Sequence, residues 1–473
     1  MTSSTPDCPP TRGVFCNRTL NLRGVKAIGY DMDYTLIHYF VKEWERAAFE
    51  HCCAHLKTLG WPVEGLYFDP ESFTLGLTFD LELGNVVKAT RFGYVVRAQH
   101  GNEMLSFAEL RRSYTATVLD LEDQRFRFMN TLFELSRASL WCQLIDLHDR
   151  EPLPRIKTYR QLYQTIDAAL ISAHQGGALK EDIVANPQRF VDLDPDVVPT
   201  LMDQRLAGKE LILITNSDWS YSQKIMNWCF NRFMPKNQTW RDLFDLIIVA
   251  ANKPRFFSDA GPIYKVVDFG RGLLAPHHGV IESGAVYHGG NARLVEDALG
   301  HEGSQFLYVG DHLFGDVYVT KDVLRWRTAL IVRELEDEIS ASITTAAANT
   351  KLASLMAEKS QLERTHSLLR LQRRQLVVRN EPRQDTDREI EQTSAELATL
   401  DERIAPLARA ASEQGNQVWG PLMRAGVDKS LFARQVEKHA DVYTSRVSNF
   451  RAETPYAYLR AARVLLPHET PRP

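Results

Sequence analysis

Four short apolar segments, each followed at once by polar residues, constrain the fold more than any other feature of the chain. They are Val25–Tyr30, Glu210–Ile214, Leu246–Ala250 and Phe306–Val309, and helical sequence lies between several of them. Short apolar strands that alternate with helices are typical of an α/β fold with a doubly wound, Rossmann-like parallel sheet. Because ligands bind beyond the carboxyl ends of the strands in such sheets, we expect the chemistry in the polar residues that follow each segment.

A long insertion separates the first two apolar segments. It spans about 180 residues, far more than a crossover between parallel strands requires. We predict strands in it at Phe73–Phe79, Asn85–Ala89 and Tyr94–Arg97, and helices at Asp123–Phe133 and Tyr159–His174, which together indicate a cap domain. The predicted organisation is a flexible tail at 1–20, a catalytic core at 21–42 and 188–332, an inserted cap at 43–187, a long helical hairpin at 333–414 and a C-terminal segment packed on the core at 415–473.

The hairpin is predicted from a leucine repeat. Leu355, Leu362, Leu369 and Leu376 recur every seven residues, and a three-four apolar spacing resumes at Ile390. This pattern predicts two antiparallel helices with a turn near Asn380–Asp385. Two explanations of the leucines stay open: they pack inside the hairpin, or they form a coiled-coil site for a partner.

Composition narrows the class of protein. The 473 residues include 56 basic and 60 acidic side chains, for a formal net charge of −4, which does not favour nucleic acid or an anionic membrane as a partner. The six cysteines form no Cys-x-x-Cys pair and indicate reduced thiols. With no apolar run of membrane-spanning length, we expect a cytoplasmic protein. Whether it forms a homo-oligomer, dimer or tetramer, stays open.

Two carboxylates two residues apart, Asp31 and Asp33, directly follow the first apolar segment. Such a pair repels unless a cation is bound, and Mg²⁺ prefers carboxylate and phosphate oxygens. One carboxylate can then attack phosphorus and form an aspartyl-phosphate, while the other protonates the leaving oxygen and later activates water. The alternative is an ordinary turn at a strand end, where Asp is common.

Two further clusters carry groups that suit a phosphate. Thr215, Asn216 and Ser217 follow the second segment and lead into a predicted helix, so hydroxyl, amide and backbone N–H groups can cradle an anion. A helix N-cap is the simpler alternative. Lys253 follows the third segment, and an ammonium there can balance the charge of a phosphoryl group, although a lone Lys is more often solvated.

The fourth segment ends in Gly310-Asp311, with Asp316 five residues further on. Asp311 is placed to bind the cation, and Asp316 to hold a metal-bound water or to orient Lys253. A turn alone would also explain these residues. Each simple alternative is reasonable by itself, but four such strand ends in one chain favour a phosphohydrolase.

In chain order, these clusters resemble the four motifs of the haloacid dehalogenase superfamily of phosphohydrolases. The sequence Gly-Asp-His-Leu-Phe-Gly-Asp at 310–316 resembles the cytosolic purine 5′-nucleotidases in particular. The resemblance implies that Asp31 is the nucleophile and Asp33 the general acid and base. It also implies that Thr215 and Lys253 assist catalysis, that Mg²⁺ is bound by Asp31, Asp311 and the backbone carbonyl of Asp33, with Asp316 nearby, and that Asn216 and Ser217 hold the phosphate.

The resemblance extends into the insertion. Asn130-Thr131-Leu132-Phe133 resembles the family's cap segment, which implies that Phe133 stacks on the base, and Tyr159-Arg160 implies that Arg160 helps to hold the substrate. The chain departs from the family pattern at Glu134, where an Asn is usual, and at Thr165, where an acidic residue is expected. Both departures concern the base rather than the phosphate.

We therefore predict a Mg²⁺-dependent 5′-nucleotidase that hydrolyses nucleoside 5′-monophosphates, of the purine IMP and GMP type, through an aspartyl-phosphate. Transfer of the phosphoryl group to a nucleoside would use the same intermediate. Two alternatives remain: a phosphatase of the same superfamily for another phosphomonoester, and a non-catalytic scaffold that binds partners through the hairpin.

Overall fold

The structure is a computed structural model that describes residues 9–175, 177–412, 415–463 and 469. Its main feature is a ten-stranded sheet in which seven adjacent strands are parallel and the strands at both edges are antiparallel. This confirms the predicted α/β fold with a large parallel sheet. Across the sheet the strands are Val14–Cys16, Val442–Thr444, Arg327–Ile331, Phe306–Gly310, Ala27–Tyr30, Glu210–Ile214, Leu246–Val249, Val286–Gly289, Ile263–Asp268 and Leu273–Pro276.

The four apolar segments of the sequence become four neighbouring strands of this sheet. Ala27–Tyr30 lies between Phe306–Gly310 and Glu210–Ile214, and Leu246–Val249 follows on the outer side. The register keeps their carboxyl ends nearly level, since Tyr30 pairs with both Val309 and Leu213. Their side chains are almost entirely buried, as expected for strands covered on both faces. The residues that follow them therefore meet at one edge of the sheet.

The insertion contains its own antiparallel sheet. In spatial order its strands are Glu103–Met104, Val95–His100, Asn85–Ala89, Thr78–Asp80 and Phe126–Phe128. The helix predicted at Asp123–Phe133 is wrong, because Phe126–Phe128 is a strand paired with Thr78–Asp80 and is followed by a 3₁₀ turn at Leu132–Glu134. The alternation of buried Phe126, exposed Arg127 and buried Phe128 is the two-residue period of a strand. The other predicted helix is present as Tyr159–Gln175.

A pair of short strands marks where the chain leaves and re-enters the core. His38–Tyr39, just before the first helix of the insertion, pairs antiparallel with Val191–Asp192, just after its last helix. Both His38 and Tyr39 are buried. This hinge ladder lies only a few residues beyond Asp33 along the chain.

The predicted flexible tail at 1–20 is wrong in part. Val14–Cys16 is an edge strand paired with Val442–Thr444, and Phe15 stacks on Tyr443 with 5.4 Å between ring centroids. The partner strand lies more than 400 residues away along the chain, so local composition could not reveal it. Residues 1–8 of that tail, and residues 413–414, 464–468 and 470–473 of the later predicted segments, lie outside the described residues.

The predicted hairpin belongs to a second compact unit, which among the described residues comprises 337–412, 415–421, 463 and 469. Its helices are Leu335–Arg379 and Gln384–Ser412, with the turn where the sequence places it. Leu355 packs with Leu400 and Ile404, and Leu362 lies against this cluster. Packing inside the hairpin thus accounts for these two heptad leucines.

The α-helices of the described residues range from four to 45 residues in length. In the described residues no helix is both long enough and apolar enough to cross a membrane. The α-helices outside the hairpin are Val41–Thr58, Phe107–Tyr114, Leu135–Arg150, Tyr159–Gln175, Ala178–Ala185, Pro187–Phe190, Val197–Leu206, Trp219–Phe230, Arg255–Ser258, Ala292–Leu299, Val319–Leu324, Leu431–His439 and Phe450–Glu453.

Candidate active site

Three of the predicted metal ligands converge beyond the carboxyl ends of the central strands. Asp31 follows the strand Ala27–Tyr30, while Asp311 and Asp316 follow Phe306–Gly310. One oxygen from each of the three carboxylates lies within 4.8 Å of the others. The two strands that deliver them are neighbours in the sheet, so the register creates this acidic cluster.

Lys253 lies inside the cluster. Its Nζ is 2.8 Å from Asp31 Oδ1 and 2.8 Å from Asp316 Oδ1, and it donates a hydrogen bond to the Tyr308 hydroxyl at 3.1 Å. The Lys253 side chain is only 4% exposed. The alternative of a solvated loop lysine is therefore excluded by its position.

Asp316 is placed by a close approach of the backbone. It lies in the turn Leu313–Tyr318 and its Oδ2 accepts a hydrogen bond from His312 N at 3.1 Å. A Cβ added at Gly310 would lie 2.5 Å from Asp316 Oδ2, which no side chain can tolerate. The glycine that precedes Asp311 is thus required for Asp316 to reach the cluster.

Burial and mutual repulsion perturb the carboxyls. Burial raises the pKa of Asp31 to about 7, and the charge of Asp316 adds to this rise while Lys253 opposes it. Burial also raises the pKa of Asp311, with further contributions from Asp31 and Asp316. A bound cation would favour the ionised forms of these groups.

The donor set fits a divalent cation. Asp31, Asp311 and Asp316 supply only carboxylate oxygens, which are the ligands that Mg²⁺ prefers. Three carboxylates against the single ammonium of Lys253 leave two negative charges, which one divalent cation would balance. The Asp33 side chain does not join this group, which is compatible with its predicted contribution through the backbone carbonyl.

The second strand end supplies the hydroxyl and amide groups predicted to hold phosphate. Thr215 Oγ1 accepts a hydrogen bond from Ser217 N at 3.1 Å, which tightens the turn. The Asn216 side chain pairs with the backbone of Lys253, accepting from its N at 2.6 Å and donating to its O at 3.1 Å. Asn216 therefore joins two strand-end loops. The N-cap of the following helix is Asp218, which leaves the Ser217 hydroxyl free for other bonds.

Both oxygens of Asp33 accept hydrogen bonds from hydroxyl groups. Ser217 Oγ donates to Oδ2 at 2.7 Å, and the Tyr39 hydroxyl donates to Oδ1 at 2.5 Å. The Tyr39 oxygen is also 2.9 Å from the Tyr221 hydroxyl. Burial and the charge of Asp33 raise the pKa of Tyr39, so its hydroxyl keeps its proton near neutral pH.

Lys180 is a site residue that the sequence analysis missed. Its Nζ donates to Ser217 Oγ at 3.2 Å and lies 4.9 Å from the centre of the Tyr221 ring. It comes from the short helix Ala178–Ala185 at the end of the insertion and brings a second cation to the loop after the strand Glu210–Ile214. An isolated lysine on a helix carries no local signal, and only the fold brings it to Ser217.

The cap loop that resembles the family's base-stacking segment lies against this cluster. Thr131 Oγ1 donates to Asp311 Oδ2 at 3.3 Å. The half-buried Phe133 packs edge-on against Tyr34, with 4.5 Å between ring centroids, and against Trp44 at 5.3 Å. The cap loop therefore brings Phe133 next to Tyr34, which lies in the loop after the strand Ala27–Tyr30.

Glu134, the first departure from the family pattern, is already engaged. Its Oε1 accepts from Arg137 and its Oε2 accepts from Asn130 N at 2.8 Å. Arg137 also donates to Asp167 at 2.7 Å. The carboxylate beside Phe133 is thus held in an ion network of the cap.

Arg160 and Thr165 are not part of the cluster. Arg160 Nη1 donates to the Gln124 carbonyl at 2.9 Å and lies in a surface cleft of the insertion with Tyr159 and Asp149. Thr165 Oγ1 donates back to the Gln161 carbonyl at 3.0 Å within its own helix. The structure therefore does not bring Arg160 to the strand ends, unlike the other candidate residues.

Comparisons with known proteins agree on a family. The family model described as "5′ nucleotidase family" matches residues 14–471. A 5′-nucleotidase domain-containing protein of Dictyostelium discoideum is 26% identical over 485 aligned positions, which cover 99% of this chain and 76% of that protein.

Solved structures are more distantly similar. An archaeal β-phosphoglucomutase from a hyperthermophilic Pyrococcus has a TM-score of 0.33 and 9% identity, covering 66% of this chain and 88% of that one. CbbY from Rhodobacter sphaeroides in complex with phosphate has a TM-score of 0.26 and 16% identity, covering 65% and 86%.

Proposed function

Because the chain belongs to the 5′ nucleotidase family, we propose that it hydrolyses nucleoside 5′-monophosphates at the cluster around Asp31. Membership of the family makes it a phosphoric monoester hydrolase and confirms the family resemblance drawn from its motifs. The substrate, the cation and the roles of the individual residues are the parts that we propose.

The observation that carries the proposal is the cluster of Asp31, Asp311, Asp316 and Lys253. Asp31 Oδ attacks phosphorus, the bond to the 5′-oxygen breaks, and that oxygen takes a proton from Asp33. Water then attacks the aspartyl-phosphate and loses a proton to Asp33, and the Asp31 carboxylate is regenerated. Lys253, held 2.8 Å from Asp31, balances the charge of the phosphoryl group.

We propose Mg²⁺ as the cation, held by Asp31, Asp311 and the backbone carbonyl of Asp33, with Asp316 beside them. When bound, it supplies charge stabilisation to the phosphoryl oxygens. The oxygen-only donor set and its two excess negative charges support this choice. Thr215, Ser217 and Lys180 would receive the phosphoryl oxygens from the other side.

Phe133 is the group that we propose for recognition of the base. It is half-buried and lies on the loop that contacts Asp311 through Thr131, so a substrate phosphate at the cluster would bring its nucleoside towards this ring. A purine offers a larger stacking surface than a pyrimidine. Together with the resemblance to the cytosolic purine 5′-nucleotidases, this leads us to propose IMP and GMP as preferred substrates. A nucleoside hydroxyl that replaced water in the second step would give phosphotransferase activity.

A second candidate, a phosphatase for another phosphomonoester, is favoured by the positions of Arg160 and Glu134. Arg160 lies away from the cluster, and Glu134 is committed to Arg137 and Asn130. Neither supplies a free polar group to a base in this structure.

Steady-state rates on a panel of IMP, GMP, CMP, UMP, sugar phosphates and p-nitrophenyl phosphate distinguish the two. We expect activity that is lost with chelator, restored by Mg²⁺ and highest for the purine nucleotides. Equal rates on sugar phosphates and nucleotides would support the general phosphatase. Full activity in excess chelator, or activity with Zn²⁺ alone, would contradict the proposed cation. Added inosine that accepts phosphate from GMP would establish transfer.

A further inference from the structure

We propose that Tyr39 is a positioning residue that aims the Asp33 carboxylate for proton transfer, with Tyr221 as its support. The inference rests on the proposed function, because it assigns Asp33 as the general acid and base. Tyr39 acts through Asp33, whose carboxylate accepts the hydrogen bond from its hydroxyl.

The hydrogen bonds form a chain with one direction. In the form that acts as the base, Asp33 is a carboxylate whose oxygens only accept, so the single hydroxyl proton of Tyr39 is directed to Oδ1 at 2.5 Å. Tyr221, whose oxygen is 2.9 Å away, must therefore donate its own proton to the Tyr39 oxygen. Buried chains of this kind polarise and fix their members more strongly than isolated bonds.

Two donors define the orientation of Asp33. Ser217 Oγ, in the loop after Glu210–Ile214, donates to Oδ2 at 2.7 Å. The Tyr39 hydroxyl, in the strand His38–Tyr39, donates to Oδ1. Without Tyr39 the carboxyl group could rotate about its side-chain bonds while keeping a single bond to Ser217. Proton transfer requires a donor within about 0.5 Å of its productive place, so this rotation would slow the proton-transfer steps.

Tyr39 is itself fixed by the fold. It is 3% exposed, packs against Trp44 with 4.4 Å between ring centroids, and lies in the hinge strand His38–Tyr39. That strand pairs with Val191–Asp192, where the chain returns from the insertion. The orientation of the Asp33 carboxylate thus depends on the strand that connects the core with the insertion.

The test is Tyr39→Phe, which keeps the ring and removes only the hydroxyl. With a nucleoside monophosphate, whose alkoxide must be protonated as it leaves, we expect kcat to fall about 10- to 100-fold with KM within about twofold of wild type. With p-nitrophenyl phosphate the leaving group needs no proton, so the phosphorylation step should keep its rate. Breakdown of the aspartyl-phosphate still needs the base, so rapid-quench measurements should show a burst of about one equivalent of nitrophenol per enzyme.

Matched variants separate positioning from packing. Tyr287→Phe removes the hydroxyl of another fully buried core tyrosine, which accepts from Glu282 N at 2.9 Å, and should leave the kinetics of both substrates unchanged. Tyr221→Phe leaves the Tyr39–Asp33 bond in place and should give the same selective pattern, weaker than Tyr39→Phe. If Tyr39→Phe does not fold, Tyr221→Phe carries the test.

An equal loss of the nitrophenyl phosphorylation rate and of the nucleotide kcat would overturn the proposal, as would an unchanged kcat in Tyr39→Phe. If the wild type hydrolyses other alkyl phosphates but no nucleotide, the proposed substrate fails. The positioning role of Tyr39 is then tested by comparing Tyr39→Phe with the wild type on that alkyl phosphate and on p-nitrophenyl phosphate.

Discussion

The strand ends of the core and the cap loop that faces them differ in how their residues are brought together. At the strand ends, Asp31 and Asp311 directly follow neighbouring strands, and Lys253 lies in the loop after a third strand, so the register of one parallel sheet largely determines that they cluster. In the insertion, Phe133 lies against Tyr34 in the loop after the strand Ala27–Tyr30, while Arg160 lies in a separate cleft. The comparison teaches that the residues proposed for phosphate chemistry are positioned by the topology of the sheet, whereas the residues proposed for substrate recognition depend on individual loops.

The sharpest test of the core half of this comparison is Asp31→Asn. No neighbouring side chain can form the covalent intermediate, so we expect a loss of at least about 10³-fold in kcat for every phosphomonoester. The fold should be retained, because the amide keeps the shape of the carboxylate. Asp120→Asn, at an exposed position of the insertion, is the control and should be fully active. Substantial residual turnover in Asp31→Asn would exclude the covalent mechanism.

Lys253→Met tests whether the core cluster is held by charge balance. It leaves the Asp31 and Asp316 carboxylates facing one another without their shared cation, and loss of one partner of a buried ion pair costs about 3–5 kcal/mol. We expect this loss of stability in denaturant titrations with chelator, and a smaller loss with Mg²⁺, which would replace the missing positive charge. Lys265→Met, which removes an exposed ion pair with Glu282, should change little. A loss that Mg²⁺ leaves unaltered would mean that Lys253 acts by packing alone.

The features that the sequence predicts correctly also differ between the strand ends and the rest of the site. The four central strands and the polar residues that follow them in the sequence could be predicted, because apolar runs and adjacent polar residues are local signals. The contacts that complete the site could not be predicted in this way. Tyr39, which lies in the hinge ladder, donates a hydrogen bond to Asp33. Lys180 donates to Ser217 from a helix 37 residues earlier in the chain.

The strand Phe126–Phe128 shows a different limit. The helix predicted at Asp123–Phe133 includes its three residues, and this stretch contains no Gly or Pro that would mark a break. The decisive information is its partner, Thr78–Asp80, about 50 residues earlier. A short strand is specified by the sheet that it joins rather than by its own propensity.

Phe133→Ala tests the cap half of the comparison. If Phe133 stacks on the base, its truncation should weaken nucleotide kcat/KM by the equivalent of about 1–3 kcal/mol. The rate on p-nitrophenyl phosphate, which has no base to lose, should barely change. Phe133→Tyr, which keeps the ring, should retain most nucleotide activity. Equal losses on both substrates would indicate that Phe133 only supports Tyr34 and Trp44.

Glu45 makes the stability of the insertion depend on pH, which gives a further way to distinguish it from the core. It is fully buried in the first helix of the insertion and accepts a hydrogen bond from Ser136 N at 2.6 Å. Burial raises the pKa of its carboxyl from 4.5 to about 7, although the bond from Ser136 opposes the rise. The folded protein therefore keeps this proton to a higher pH than the unfolded chain. The stability that the protonated group contributes is complete below pH 4.5 and is lost as the pH rises through 7.

Glu45→Gln should consequently match the stability of the wild type at pH 5 and exceed it by about 2–3 kcal/mol at pH 8, because the amide has no charge to desolvate. Hydrogen exchange of the Ser136 amide measures this effect within the insertion, and denaturant titration measures it for the whole chain. Glu50→Gln changes an exposed residue of the same helix and should show no such dependence on pH. A stability difference between Glu45→Gln and wild type that is the same at pH 5 and pH 8 would show that Glu45 is ionised in the folded protein. In that case the Arg137 guanidinium, whose charge lowers the pKa of Glu45, would have to compensate the charge of the carboxylate.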